Sequence, residues 1–236
     1  MSEWALKRFW QKADVEAVDG GYTVLLDGRT VKTPAKTKLV VPTRDLAREI
    51  AAEWDAQQEK VNPFAMPFTR MANSALDKVA PQHSEVAAML ADYADSDLLC
   101  YRADHPEELA ERQRAAWDPL LDWAEESLSA RLTPVAGVMH RPQDRGALDR
   151  LSRAVHGQSS FALAAFHDLV SMSGSLIIAF AVVRGARSPE AGWQVSRLDE
   201  TWQQEQWGLD DEAAEVAEIK RKEFLHAAVF HSLTNG

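Results

Sequence analysis

The hydrophobic spacing of this chain changes its period once, near Pro42, and that change constrains the fold more than any other feature. Before it, apolar residues fall in short runs: Tyr22-Thr-Val-Leu-Leu26, Thr30-Val-Lys-Thr33 and Lys38-Leu-Val-Val41. Asp19-Gly20-Gly21, Asp27-Gly28 and Pro34 punctuate them. β-branched residues in such runs favour strands, and Asp-Gly favours the tight turns that join antiparallel ones. After Pro42, apolar residues recur every three or four positions, the spacing of one helix face. The fold class expected is therefore α+β. A small N-terminal antiparallel β domain of about four strands would occupy residues 1–42. A larger all-helical domain of about eight helices would occupy residues 43–236.

Within the helical part, Thr43 is placed to cap a helix through Leu46, Ile50 and Trp54. Pro67 suits the first turn of the next, where Phe68, Met71, Ala72, Ala75, Leu76 and Val79 form an apolar stripe opposite Thr69, Arg70, Asn73 and Asp77. A third helix is expected from Ser84 to Tyr101, carrying Asp97. A fourth starts near Pro106 and should kink or restart at Asp118-Pro119, because proline removes an interior hydrogen bond. Thr133 to Pro142 reads as a loop, followed by a helix through Leu148, Leu151 and Val155. Ser159 to Val183 is the least polar stretch and belongs in the middle of the bundle. Its Ser173-Gly174-Ser175 either lets a neighbour approach closely or marks a bend. Ser188-Pro189 starts the next helix, and Asp210 caps the last, through Ile219, Leu225 and Phe230.

The unusual stretch is Leu198 to Leu209, the end of a helix stopped by Gly208. Asp199, Gln203 and Trp207, spaced i, i+4, i+8, share a face; Trp202 lies on the neighbouring one, with Glu200 and Glu205 elsewhere. Helical spacing alone is met equally by two core tryptophans with a solvated acidic face. Aromatic anchors ringed by polar groups are also what dominates binding surfaces. Residues 197–218 hold eight carboxylates and a single arginine, Arg197, before Lys220. Such a patch would steer and orient a basic partner.

Charge and composition exclude several classes. The net charge is −10 over 236 residues. Residues 1–44 carry eight Lys/Arg against five Asp/Glu, and the remainder carries 18 against 31. An acidic body disfavours nucleic acid and anionic membrane surfaces alike. The most apolar run, Leu176 to Val183, is too short to span a bilayer, so no stable membrane insertion is expected. A single cysteine, Cys100, cannot close an internal disulfide and fits a reducing compartment. The opening residues lack the apolar core of a secretory signal and the Arg/Ser-rich character of a transit peptide.

The inventory for catalysis is thin. There is no glycine-rich strand-to-helix turn for a dinucleotide and no phosphate-binding loop. His226 and His231 are five apart and do not stack as a zinc helix requires, so no metal and no cofactor is expected. Cys100 with His105 could in principle pair as nucleophile and base, although a half-buried cysteine at a helix end explains it more simply. Asp97, Tyr101 or Glu200 could serve an acid–base site between the two parts, the main alternative to a binding protein.

Eight stretches in order carry a family resemblance. They are Arg8-Phe9-Trp10, Leu26-Asp27-Gly28-Arg29 with Thr33-Pro34, Glu53-Trp54-Asp55-Ala56-Gln57, and Met66-Pro67-Phe68-Thr69-Arg70-Met71-Ala72-Asn73. Tyr93 to Arg102, Trp117-Asp118-Pro119-Leu120, Ser173-Gly174-Ser175-Leu176 and Asp199 to Gly208 complete the set. Together they resemble the Atp-twelve family of ATP synthase F1 assembly chaperones, over nearly the whole chain. Phe68 and Met71 stand where leucine-like residues would be expected, changes that a packed helix absorbs. The resemblance implies a non-enzymatic chaperone that holds the new α subunit of F1-ATPase until β replaces it. It implies a small β domain joined to a larger helical one, and a sensitive acidic region near the C-terminal end. That region maps onto Asp199, Glu200 and Gln203, with Glu200 foremost. Candidate aromatic anchors are Trp54, Trp202 and Trp207; further polar contacts are Arg70 and Asp97. A monomeric protein of the bacterial cytoplasm, related to a mitochondrial matrix protein, is the matching expectation.

Overall fold

A computed structural model describes residues 7–234; residues 1–6 and 235–236, which the expected domain ranges include, lie outside the described residues. The chain is α+β and folds as two compact units.

The first unit comprises residues up to His83 together with Ser159–Ala165 and the segment from Val229 onward. Its sheet has four antiparallel strands: β1 (Ala13–Val18), β2 (Gly21–Leu26), β3 (Arg29–Thr30) and β4 (Val40–Val41). β2 pairs with the other three, meeting β1 from Ala13↔Leu26 to Val18↔Gly21. Val24 and Leu26 of β2 are buried, and the equally buried Thr23 donates its hydroxyl to the Leu39 carbonyl at 2.7 Å. A sheet this small cannot bury its apolar face alone. Helix α1 (Arg44–Asp55) supplies the cover, packing Leu46, Ala47, Ile50 and Ala51 into the same core as Val24, Leu39 and Val41. Thr43 caps it, its side chain accepting from Leu46 N at 3.2 Å. Contacts therefore group the sheet with the helices that follow it, and do not divide the chain at residue 42. Helix α2 (Pro67–Ser74) starts at its proline and runs through a π-turn, Ala75–Val79, and a 3-10 turn, Ala80–Gln82.

Gly21 shows how tightly β4 is held. A Cβ built there would lie 2.2 Å from the Val41 carbonyl oxygen, a backbone atom that cannot move away without breaking the β2–β4 pairing. Gly21→Ala is expected to cost about 2–3 kcal/mol of stability, the scale of an overpacked site, measured by chemical denaturation. An unchanged midpoint would show that β4 is not fixed to β2.

The second unit comprises Ser84–Gln158 and Phe166–Ala228. Helix α3 (His83–Ala91) ends ten residues short of the expected Tyr101. Residues Asp92–Ser96 and Leu98–Cys100 form 3-10 turns, and Tyr101–Arg102 is a strand, β5, paired in parallel with β6 (Val135–Ala136) inside the expected loop. Asp97 between the turns has an extended backbone, φ −58 and ψ 135, so it does not lie on a helix. Helix α4 (Glu107–Leu128) neither stops nor restarts at Pro119. Trp117, Leu120, Leu121 and Ala124 are buried along it, and that packing outweighs one lost hydrogen bond.

Helix α5 (Arg145–His156) is capped by Asp144, whose carboxylate accepts from Ala147 N at 2.8 Å. The apolar stretch is broken at Gly174, φ 68, into α6 (Ser160–Ser173) and α7 (Leu176–Val183), so the Ser-Gly-Ser motif is a bend. α7 is buried from Leu176 to Val182, as a central helix should be. Arg197, φ −105 and ψ 18, likewise separates α8 (Pro189–Ser196) from α9 (Leu198–Trp207), which were expected as one helix. Gly208, φ 94, stops α9 as expected, and Asp210 caps α10 (Asp211–Ser232) by accepting from Glu212 N and Ala213 N. The two breaks turn the expected eight helices into ten among the described residues.

Candidate functional site

The residues singled out from the sequence fall into three environments. Asp199, Glu200, Trp202, Gln203 and Trp207 all lie on α9, in the second unit. Trp54 and Arg70 lie in the first unit, lining a common groove. Asp97 is in neither place.

Helix α9 has no fully buried residue. Asp199 accepts a hydrogen bond from Gln113 Nε2 at 2.7 Å, which ties the start of α9 to α4. Glu200 is paired with Arg197 at 2.6 Å, one turn back, and remains partly exposed. Trp202 is half-buried, with the Arg112 guanidinium 4.7 Å above its ring; the same arginine reaches Glu205 at 2.6 Å. Trp202 is therefore part of the α4–α9 contact, together with Asp199 and Glu205. Gln203 is exposed, and Trp207 is 80% exposed at the helix end.

An indole in water at the edge of an acidic helix has no structural account within the chain. It also has company. Leu209, 64% exposed, follows Gly208, and Val216 and Ile219 of α10 are exposed as well. Val216 lines a shallow depression of about 400 Å³ with Arg197, Asp210 and Lys220. Sequence spacing does not single out Leu209, Val216 and Ile219, because a repeat through Ile219, Leu225 and Phe230 reads as one buried stripe. The available signal is the interleaving of Glu212, Glu215 and Glu218 with those apolar positions. A helix with carboxylates beside each apolar residue has no uninterrupted face to bury. The arrangement offers apolar anchors in an acidic rim and no acid–base pair.

Asp97, expected as a polar contact at a surface, is fully buried. Its Oδ1 accepts from Leu99 N at 3.0 Å and its Oδ2 from Ile177 N at 3.1 Å, the first turn of α7. Burial pushes its pKa up to about 6, opposed by hydrogen bonds from the Ser175 side chain and from the Leu99, Ile177 and Leu176 amides. The carboxylate stitches the 97–100 turn to the start of α7, and no partner touches it without unfolding that junction. Cys100 beside it is buried too, and burial, then the Asp97 charge, pushes its thiol up to about 12. Such a thiol is not a nucleophile at neutral pH. Among the described residues no cluster of three or more His, Cys, Asp or Glu could hold a metal ion, and no helix is long and apolar enough to cross a membrane.

In the first unit, Trp54 is half-buried and packs edge-on to Trp10, ring centroids 5.2 Å apart. Its neighbour Glu53 anchors α2, accepting from Phe68 N at 2.6 Å, Thr69 N at 2.8 Å and Thr69 Oγ1 at 2.7 Å. Burial raises the Glu53 pKa, and these hydrogen bonds, with the Arg70 charge, oppose the rise. Arg70 is exposed on the solvent side of α2.

Comparison with known proteins follows the same lines. The family model described as ATP12 chaperone protein matches residues 7–125. The crystal structure of Atp12 from Paracoccus denitrificans is 46% identical to this chain, with a TM-score of 0.95 over 97% of this chain and 98% of that one. An aspartate-to-lysine mutant of P. denitrificans Atp12p matches with the same figures. Protein atp12, mitochondrial, from Schizosaccharomyces pombe is 27% identical over 224 residues, covering 90% of this chain and 77% of that protein. The chain belongs to the ATP12 chaperone family, whose members are chaperones and not enzymes.

Proposed function

We propose that the protein is an assembly chaperone of ATP synthase that binds the unassembled α subunit of F1, prevents its aggregation and releases it when β arrives. The observation that carries this reading is the exposed apolar set Trp207, Leu209, Val216 and Ile219 within the acidic α9–α10 segment. The family resemblance implies α as the client. An α subunit without its neighbours exposes the apolar, partly charged surface that assembly later buries, and patches of that size aggregate. Apolar anchors with an acidic rim cover such a surface without ATP. A partner that binds the same surface more tightly displaces them by mass action. The protein acts as a monomer in the bacterial cytoplasm on this reading, with Asp199, Glu200 and Gln203 orienting the client and Trp207 anchoring it.

The test is refolding of purified α subunit with and without the protein, in the absence of nucleotide, followed by light scattering. Suppression at a near-equal molar ratio is expected. Glu200→Lys should weaken α binding by about 2 kcal/mol, roughly 30-fold. Its pair with Arg197 is a surface ion pair that contributes little to folding, so the variant stays folded. A folded Glu200→Lys protein with unchanged α affinity would remove Glu200 from the contact; no suppression by the wild type would remove α as the client.

A further inference from the structure

The groove of the first unit has a chemistry opposite to that of α9. It encloses about 510 Å³ beside the 32–36 turn, the end of α1 and α2. Trp54, Val61 and Met66 give it an apolar lining, while Lys32, Lys36, Arg70 and Lys78 bring four cations to it. Its single lining carboxylate, Asp77, is already engaged: Oδ1 accepts from Thr33 Oγ1 at 2.7 Å and Oδ2 from Ala35 N at 3.0 Å. Glu53, whose carboxylate feels the Arg70 charge, is held by Phe68 and Thr69. None of the four cations forms an ion pair among the described residues.

Four cations against one lining carboxylate leave the groove net positive, in a chain whose net charge is −10. The turn that carries two of them is held in place. Lys36 has φ 71, a left-handed backbone that side chains with a Cβ avoid. It is fixed there by Lys36 N donating to Thr33 O at 2.9 Å, by Thr33 N donating to Thr37 O at 2.8 Å, and by Asp77 on Thr33. Pro63 lines the groove, and the residue that follows it, Phe64, is 85% exposed.

We propose that this groove binds an acidic polypeptide segment of the client, seating an apolar side chain against the half-buried Trp54 and Val61 with its carboxylates among Lys36, Arg70, Lys32 and Lys78. The inference rests on the client-binding reading for the origin of the segment, and it gives the chaperone a second contact of opposite charge to α9. Cations around an apolar floor select by charge and accelerate encounter, so binding weakens as salt rises.

The probe is a short fluorescent peptide with a Leu-Phe centre flanked by glutamates, followed by anisotropy against the full-length protein; its lysine-flanked counterpart is the control. The acidic peptide should bind and the basic one should not. The double variant Lys36→Glu, Arg70→Glu, folded by circular dichroism, should weaken binding at least about tenfold. No binding, equal binding of both peptides, or indifference to the double variant overturns the proposal. So does a wild-type dimer in sedimentation that the double variant dissolves, because the occupant is then a second copy of this chain. The two readings fail separately. Protection of α without acidic-peptide binding removes the groove and leaves the chaperone, while peptide binding without protection of α removes the client and leaves the groove.

Discussion

Asp97→Ala is expected to destabilise the second unit by about 3 kcal/mol at pH 7, and by more at pH 5. The fully buried carboxylate accepts from Leu99 N and Ile177 N, and alanine leaves both donors in a dry interior without an acceptor. A buried donor so abandoned costs about 1–3 kcal/mol. The first turn of α7 also loses an anion that its dipole favours. The pH dependence follows from the raised pKa, which burial pushes from the ordinary 3.8 to about 6. Between those values the folded state binds more protons than the unfolded state, so this group's contribution is complete below about pH 4 and is lost as pH rises through 6. The difference is about 3 kcal/mol, at 1.36 kcal/mol per unit. His231 in the other unit has the opposite sign: burial lowers its pKa to about 4, so its contribution is lost as pH falls from 6.5 towards 4. The wild type therefore shows a flattened profile over this range. Asp97→Asn, which keeps one acceptor and cannot ionise, should cost more at pH 4.5 than at pH 7. Denaturation midpoints at both values decide it, and a pH-independent penalty would show that Asp97 is already ionised throughout.

The residues that make this junction also show where the sequence stops being legible. The β-to-α change at Pro42, the Thr43 and Asp210 caps, the Pro67 start and the Gly208 stop all follow from local chemistry that acts within four residues, and all stand in the structure. Asp97 could not be placed that way. Its partners Ile177 and Ser175 lie about 80 residues away, and its own apolar neighbours Leu98, Leu99 and Cys100 mimic a helix end. The parallel pair β5–β6 is two residues on each strand, too short to leave an alternation. Pro119 fails in the other direction: local propensity predicts a break that the packing of Trp117 and Leu120 overrides. On α9, Asp199, Gln203 and Trp207 lie on one helix as the spacing required, but Asp199 bonds to Gln113 of α4 while Gln203 and Trp207 are exposed. Spacing could not tell which tryptophan was exposed, because the Arg112 guanidinium that covers Trp202 comes from α4, about 90 residues earlier in the chain.

That separation makes Trp207 the sharpest test of the proposed client surface. Trp207→Asp should leave stability within about 0.5 kcal/mol of wild type, since an 80% exposed side chain has little burial to lose. The same change should weaken binding of the α subunit by about 3 kcal/mol, more than 100-fold, the range of a tryptophan hot spot replaced by a charge. Trp202→Ala should behave in the reverse sense, loosening the α4–α9 contact while reaching the client only indirectly. Measured side by side by calorimetry and by α titration, the two tryptophans distinguish an anchor from a strut. If Trp207→Asp binds α normally and Trp202→Ala does not, the client meets the other face of α9, and Leu209, Val216 and Ile219 lose their place in the contact. If both bind normally, the acidic helix is a solvated surface, and the groove in the first unit is left as the place where a client is held.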